Sequence, residues 1–425
     1  MIAQAQAHHG LGSYRLCLSQ PYAVALISSN LLGRLPNGMA TLSIVLFLRA
    51  NGRSFAEVGV VLASFGLASA LGGPALGRAI DRAGQALILT AAALGSAAGF
   101  CLLTTVGHAN LLYVEGCVVL AGLLSPPLEP ALRSLWSTLF TDRATVEVAY
   151  ALDTSLQELL YILGPFLAVA LFATVPAEVA LYVLSATMVI GAALFVSIPP
   201  VRRWQPPART PHWAGALRSR TLVVILASMF WVGSSIGVLN VVVVAYAEQM
   251  GSQSYSGGLL GTASIGGLVG GLLYGARRWQ GNGILRLRWL LAAMALAYLP
   301  LALAPPPALM FAFMFLAGFF LAPILACGFV LIAGHAPAGT VTEAFAWVTT
   351  LFLAGSALGS SISGVSVSGS LGVRGSFLLT ALCTAVALLV AVLALREDST
   401  SKGHSTSEAG TTAGQNVKSD SAAVE

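Results

Sequence analysis

The chain has 425 residues, of which 57% are hydrophobic and only 9% charged, and its mean hydropathy is +0.84. Soluble domains carry about 25% charged residues, so this composition excludes one and points to a polytopic membrane protein. The net charge of +5 does not imply a nucleic-acid partner, because the arginines stand in short segments beside apolar runs and no DNA- or RNA-binding motif is present.

Residues 1–21 read as a cytoplasmic N-terminal segment. The first apolar run is longer than a signal-peptide core and is expected to be retained as a span. Apolar runs broken by Gly, Pro and charge predict twelve helices. They lie at Tyr22 to Leu48, Phe55 to Leu76, Ala86 to Val106, Asn110 to Arg133, Val146 to Val175 and Glu178 to Ile198. The second set lies at Thr221 to Ala247, Tyr255 to Tyr274, Trp289 to Ala304, Ala308 to Gly334, Thr342 to Val367 and Ser376 to Leu395. The domains are then a bundle over 22–198, a cytoplasmic linker over 199–220, a second bundle over 221–396 and a tail over 397–425. The linker holds Arg202, Arg203, Arg209, Arg218 and Arg220; the tail is rich in Ser, Thr, Gly and charge and is expected to be disordered. Basic residues concentrate on the side of both termini, with Arg49, Arg53 and Arg374 as exceptions. The positive-inside rule therefore places both ends in the cytoplasm of a multi-pass protein of the cell membrane.

The two sets repeat. Leu120-Ala121-Gly122-Leu123-Leu124-Ser125-Pro126-Pro127 aligns with Leu316-Ala317-Gly318-Phe319-Phe320-Leu321-Ala322-Pro323. Thr145-Val146 and Ala149-Tyr150-Ala151 align with Thr340-Val341 and Ala344-Phe345-Ala346, at the same offset of about 195 residues, and Gly77 finds Gly275. The fold class is an all-α membrane protein with about twelve transmembrane helices in two pseudo-symmetric six-helix bundles.

Between the second and third spans runs Gly77-Arg78-Ala79-Ile80-Asp81-Arg82-Ala83-Gly84-Gln85, a polar interruption that reads as a tight loop. Gly77 allows a close backbone approach or a positive φ, Gly84 lets the chain turn, and Asp81 can face the amides at the next helix's N-terminus. The spacing G-x-x-x-D-R-x-G resembles the signature loop of the major facilitator superfamily. Gly77, Asp81, Arg82 and Gly84 match, while Gln85 and Ala86 stand where that family usually has basic residues. The resemblance covers the chain to about Glu397 and implies two bundles that rock around a substrate site at their interface. It also makes 77–85 a gating loop, joined by Glu129 and Arg133 at the cytoplasmic end of the fourth span.

Charges inside the spans are costly, about 2.5–3.5 kcal/mol each on insertion scales. Arg34 and Glu158 each lie about 12 residues, or about 18 Å, into the first and fifth spans. At that shared depth they can form an ion pair, either as a static lock or as a proton or substrate site. Glu115, nearer the outer end of the fourth span, is the rival proton site, and Asp153 lies nearer the cytoplasmic face. By the repeat, Arg34 and Glu158 fall beside Val232 and on Leu353, so ion coupling is expected in the first half. An apolar, aromatic wall should stand opposite. Asn30, Phe230, Trp231, Asn240 and Trp347 are the candidates for the substrate cavity. Gly164-Pro165 resembles the centre of the motif that marks the family's drug and proton antiporters, without its flanking glycines: Leu160, Ala168 and Val169 stand there instead. The same pair also simply kinks a helix and admits a close neighbour. The antiporters' arginine in the fourth span is absent from Asn110 to Leu132.

The five cysteines show no C-x-x-C spacing and the six histidines none of ligand type, so no disulfide framework, metal or cofactor is expected. No Walker motif is present, and no cluster of nucleophile and base suggests an enzyme. The reading is a proton-coupled secondary transporter, working as a monomer in the lipid bilayer and exporting a small amphipathic substrate. An uptake symporter, or a transporter-like sensor, is the alternative.

Overall fold

The structure, a computed structural model, describes residues 11–394 except 108, 141, 206–211, 252, 253, 280 and 370. The first ten residues, Arg209 and the tail expected to be disordered lie outside the described residues. A short helix α1 (Leu11–Leu18) precedes α2 (Ala23–Ala50), α3 (Phe55–Ala83), α4 (Gln85–Val106), α5 (Leu111–Leu123), α6 (Leu128–Leu139), α7 (Arg143–Thr174) and α8 (Ala177–Ser197). After the short α9 (Pro199–Arg202) come α10 (Arg220–Gln249), α11 (Ser254–Gly275), α12 (Gly283–Tyr298), α13 (Pro307–Phe319), α14 (Leu321–His335), α15 (Val341–Ser368) and α16 (Gly372–Ala394). Among the described residues, twelve spans are long and apolar enough to cross a membrane, α5–α6 forming the fourth and α13–α14 the tenth. Among the described residues there is no strand, as expected where a spanning chain must satisfy every backbone group within its own helix.

The fourth and tenth spans break at the same place in the repeat. Pro126 and Pro127 lack the amide hydrogen a continuous helix needs, so α5 ends at Leu123 and α6 restarts at Leu128. In the second half the break falls at Phe320, with Pro323 in the first turn of α14. These are the two octapeptides that align in the sequence.

Two expectations are corrected here. The polar stretch 77–85 is not a loop: α3 continues through Arg78, Asp81 and Arg82 to Ala83, and only Gly84, at φ 92°, turns the chain before Gln85 opens α4. Gln85 is buried and donates to the Ala131 carbonyl at 3.1 Å and to Ser134 Oγ at 3.0 Å. The ninth span begins at Gly283, six residues before the apolar run, and carries Arg286 and Arg288 inside the helix. Arg286 is tolerated there because it pairs with Glu147 at 3.1 Å and lies over the rings of Tyr274 and Trp279.

Gly164 and Pro165 lie inside an unbroken α7. A Cβ on Gly164 would stand 2.6 Å from the Gly38 carbonyl oxygen, so the glycine brings α2 and α7 into backbone contact.

Candidate functional site

The bonds that Asp81, Arg78, Glu147 and Tyr14 make between the two halves lie at the end of the bundle where the linker runs. Asp81, 1% exposed, accepts from the amides of Thr342 at 3.2 Å and Glu343 at 2.8 Å. It therefore faces the N-terminus of α15 in the opposite half, and not that of the next helix α4. A carboxylate there meets both unpaired amides and the positive end of the helix dipole. Gly77 makes the approach possible, since a Cβ on it would lie 3.1 Å from Glu343 Cα. Arg78 adds a bond to Glu343 at 2.5 Å, and Thr350 Oγ donates to the Ala70 carbonyl at 2.9 Å.

The same device recurs with the halves exchanged. Glu147, in the second turn of α7, pairs with Arg286 of α12, and Glu343, in the first turn of α15, pairs with Arg78 of α3. Both acids follow the repeated Thr-Val step at Thr145 and Thr340. Tyr14 of α1 adds a third strap by donating to the Leu272 carbonyl of α11 at 2.7 Å. Arg82 is exposed and takes no part in these bonds.

Deeper in the first half, four charges close a ring. Arg34 bonds Asp153 at 2.6 Å and Glu129 at 3.4 Å; Arg133 bonds Asp153 at 2.7 Å and Glu129. Asn30 supports the ring by donating to the Leu128 carbonyl at 2.8 Å and accepting from Arg34 at 3.5 Å. With two acids and two bases the ring is neutral, and each charge has two opposite partners, which offsets much of the cost of burying it. The expected Arg34–Glu158 pair is absent, because Asp153, one and a half turns nearer the linker end, takes Arg34 instead. Glu129 and Arg133 likewise join this ring, and not Asp81 and Arg82.

Above the ring lies a cavity of about 370 Å³ between the halves. Glu129, Arg133, Gln157, Glu158 and Tyr161 of the first half line one side. The opposite side is mainly apolar, formed by Ile236, Leu239, Leu260, Leu325, Phe329 and Phe352, with Asn240 and Ser264 among its polar members. Arg133 stacks on the Phe329 ring at 3.7 Å across the divide. Below it Tyr150, Phe329 and Phe345 pack with ring centroids 5.8–6.1 Å apart, closing the cavity toward the linker end. Glu158 is 6% exposed, lies against Gly267 of α11 and is within hydrogen-bonding reach of Ser264. It is the one cavity carboxylate outside the ring, and it has no ion pair among the described residues.

Of the remaining candidates, Asn240 lines the cavity and Trp347 does not; Trp347 borders a separate groove between α3 and α15. Phe230 and Trp231 pack edge to face with centroids 5.7 Å apart and stay outside the cavity lining. Trp231 lies nine residues, or two and a half turns, from Asn240, so the two occupy opposite faces of α10. Glu115 is half-buried on α5, outside the ring and the cavity. Gln157, Tyr161 and Phe329 were not anticipated. The spacing Asp153, Gln157, Tyr161 places three polar residues on one face of α7, and Glu129 with Arg133 repeats it on α6, a signal readable from i, i+4 neighbours alone.

No curated protein sequence matches this chain. Residues 26–308 and 287–419 match a family model described as Major Facilitator Superfamily. Among solved structures, a bacterial homologue of the iron transporter ferroportin in its outward-facing state is similar, with a TM-score of 0.70 at 14% identity over 87% of this chain and 98% of that one. The human organic anion transporter TETRAN gives 0.68 at 14% identity over 89% and 99%. The major facilitator transporter FucP in the outward conformation gives 0.64 at 16% identity over 90% and 100%.

Proposed function

The chain belongs to the major facilitator superfamily, and on that premise we propose that it is a proton-coupled exporter of a small amphipathic compound. Membership makes it a transporter within a membrane, and not an enzyme. The observation that carries the finer reading is the two-sided cavity: a charged and polar wall on α6 and α7 faces an apolar wall on α10, α11, α14 and α15, with Glu158 at their meeting line. An amphipathic molecule satisfies both walls at once.

Glu158 is the proton carrier in this scheme. Buried between halves that rock, it changes surroundings with each cycle, and a carboxyl group follows its surroundings in taking or releasing a proton. Substrate bound beside it competes for the same site, which couples efflux to proton entry. Arg34, committed to Asp153 and Glu129, serves as a brace. With both termini in the cytoplasm of the cell membrane, as the arginines favour, the closed linker end is the inner face and the structure is outward-facing. The halves 22–198 and 221–396 then rock as bodies joined by the linker 199–220, in a protein that works as a monomer.

Uptake by symport is the second reading, because a fucose:proton symporter is among the similar folds. Purified protein in proteoliposomes with an imposed proton gradient, screened against amphipathic compounds and metabolites, separates the two by direction. Glu158→Gln is expected to abolish gradient-driven movement while substrate exchange continues. If Glu158→Gln still drives substrate uphill with the wild-type pH profile, the proton site lies elsewhere.

A further inference from the structure

The closed linker end leaves a second cavity on its flank, a groove of about 660 Å³ lined, among the described residues, by α3 and α15. Its wall on α3 runs from Ala70 and Leu71 through Pro74, Ala75 and Arg78 to Arg82. Leu71 is 63% exposed and Ala75 and Arg82 are also exposed. Spacings of four and seven residues put those three on one helix face. On a spanning helix such a face looks into lipid.

Three features of the groove agree on one occupant. Every charge that lines it is positive, Arg78 and Arg82, and both lie at the linker end. Arg78 is engaged by Glu343, whereas Arg82 has no ion-pair partner among the described residues. The indole Nε1 of Trp347, which borders the groove from α15, is buried without a hydrogen-bond partner. Since Thr342 meets Asp81 beside Arg82, Trp347 lies five residues deeper, about 7 Å below the arginine level. From Arg78 to Ala70 the α3 wall of the groove is apolar over about 8 residues, about 12 Å, most of one leaflet of a core about 30 Å thick.

We infer that this groove is a site for an anionic glycerophospholipid of the linker-side leaflet. Its phosphate meets Arg82 with help from Arg78, its glycerol-ester region lies at the level of the free indole donor of Trp347, and one acyl chain follows Leu71, Pro74 and Ala75. Basic pockets between spans at the cytoplasmic surface bind anionic headgroups by the same chemistry. The lipid bridges α3 and α15, the helices held together by the Asp81 bonds, so it binds the closed linker end better than the open one and shifts the population toward it.

The test is native mass spectrometry of delipidated full-length protein with phosphatidylglycerol or phosphatidylcholine of identical acyl chains. Wild type is expected to retain phosphatidylglycerol preferentially. Arg82→Gln should weaken that retention roughly fivefold, the factor that corresponds to about 1 kcal/mol per basic residue at an anionic surface. Ala75→Trp fills the acyl track without touching the charges and should lower retention independently. Glycerol phosphate, a headgroup without chains, should not compete. Equal retention of the two lipids, a preference that survives either variant, or competition by glycerol phosphate overturns the assignment.

Discussion

Replacing Asp81 by Asn keeps the shape of the side chain and removes its charge, which isolates what holds α3 against α15. Asp81 accepts two amide hydrogen bonds, at 3.2 and 2.8 Å, in a place almost closed to solvent. Asn offers one oxygen for those two amides and turns an NH2 group toward the other. Hydrogen bonds to a charged group contribute about 1.5–3 kcal/mol each. Losing one, with the favourable interaction with the positive end of α15, weakens the closed linker end by about 2 kcal/mol. Because these bonds join the halves only when that end is closed, the loss falls on one state, and the ratio of open to closed rises about thirtyfold at about 1.36 kcal/mol per factor of ten. Spin labels on Ala83→Cys and Ala338→Cys, both exposed and on either side of the contact, read the two states as a distance distribution once the native cysteines are replaced. A long-distance component should grow strongly in Asp81→Asn. An unchanged distribution in a folded variant would show that Asp81 only ties off a helix end and does not bias the gate.

The other perturbations address the straps, the ring and a cap. Tyr14→Phe removes the hydroxyl that bonds Leu272, an effect of about 1 kcal/mol, so the same labels should report a smaller opening, about fivefold. Arg34→Gln leaves Asp153 and Glu129 sharing Arg133 alone, and breaking a buried ion pair costs about 3–5 kcal/mol. The expected result is a large drop in thermal stability or folded yield; a normally stable variant with a shifted transport pH profile would restore Arg34 as partner to a titrating group. Asp142 precedes α7 and caps it through the amides of Ala144 and Thr145. Burial pushes its pKa up, but the bonds from Thr145 and those amides, with Arg278 nearby, hold it below the ordinary carboxylate value. Its stabilisation is therefore complete above about pH 4, the unfolded value, and is lost as pH falls through the lower folded one. Asp142→Ala should cost about 1 kcal/mol at neutral pH, measured by thermal unfolding in detergent, and the gap to wild type should narrow in acid; a gap that widens would contradict the assignment.

Most of the frame was readable before any coordinates. Twelve spans follow from run length and hydropathy, because a bilayer core demands about 20 apolar residues with all backbone groups paired inside the helix. The duplicated octapeptides announced equivalent places in the two halves, and both proved to be helix breaks at proline. The site was readable only in part. Glu158 and Asn240 were named for the site and do line the cavity, Glu129 and Arg133 were assigned to the gate and line the cavity instead, and Asp81 was placed at helix-end amides. The helix it caps, the partner of Arg34 and the course of α3 through 77–83 were all misread. A polar run bounded by glycine looks like a loop when hydropathy is the only guide, yet Asp81 and Arg78 continue the helix because α15 supplies their partners.

What the sequence determined on its own is thus whatever depends on one segment and its solvent: the number and length of spans, the charge of the side that bears the linker, the proline breaks and the caps. What the tertiary structure decided is which charges share a partner. Arg34 stands within reach, along the sequence, of both Glu158 and Asp153, and a depth estimate of 1.5 Å per residue cannot choose between carboxylates five residues apart. The choice depends on helix rotation, which close contacts such as Gly38 against Gly164 lock. That rotation turns Asp153 toward Arg34 and Arg133 and leaves Glu158 against α11 of the other half. Two adjacent turns of one helix thereby acquire different surroundings, a neutral ring on one side and an unpaired carboxyl on the other.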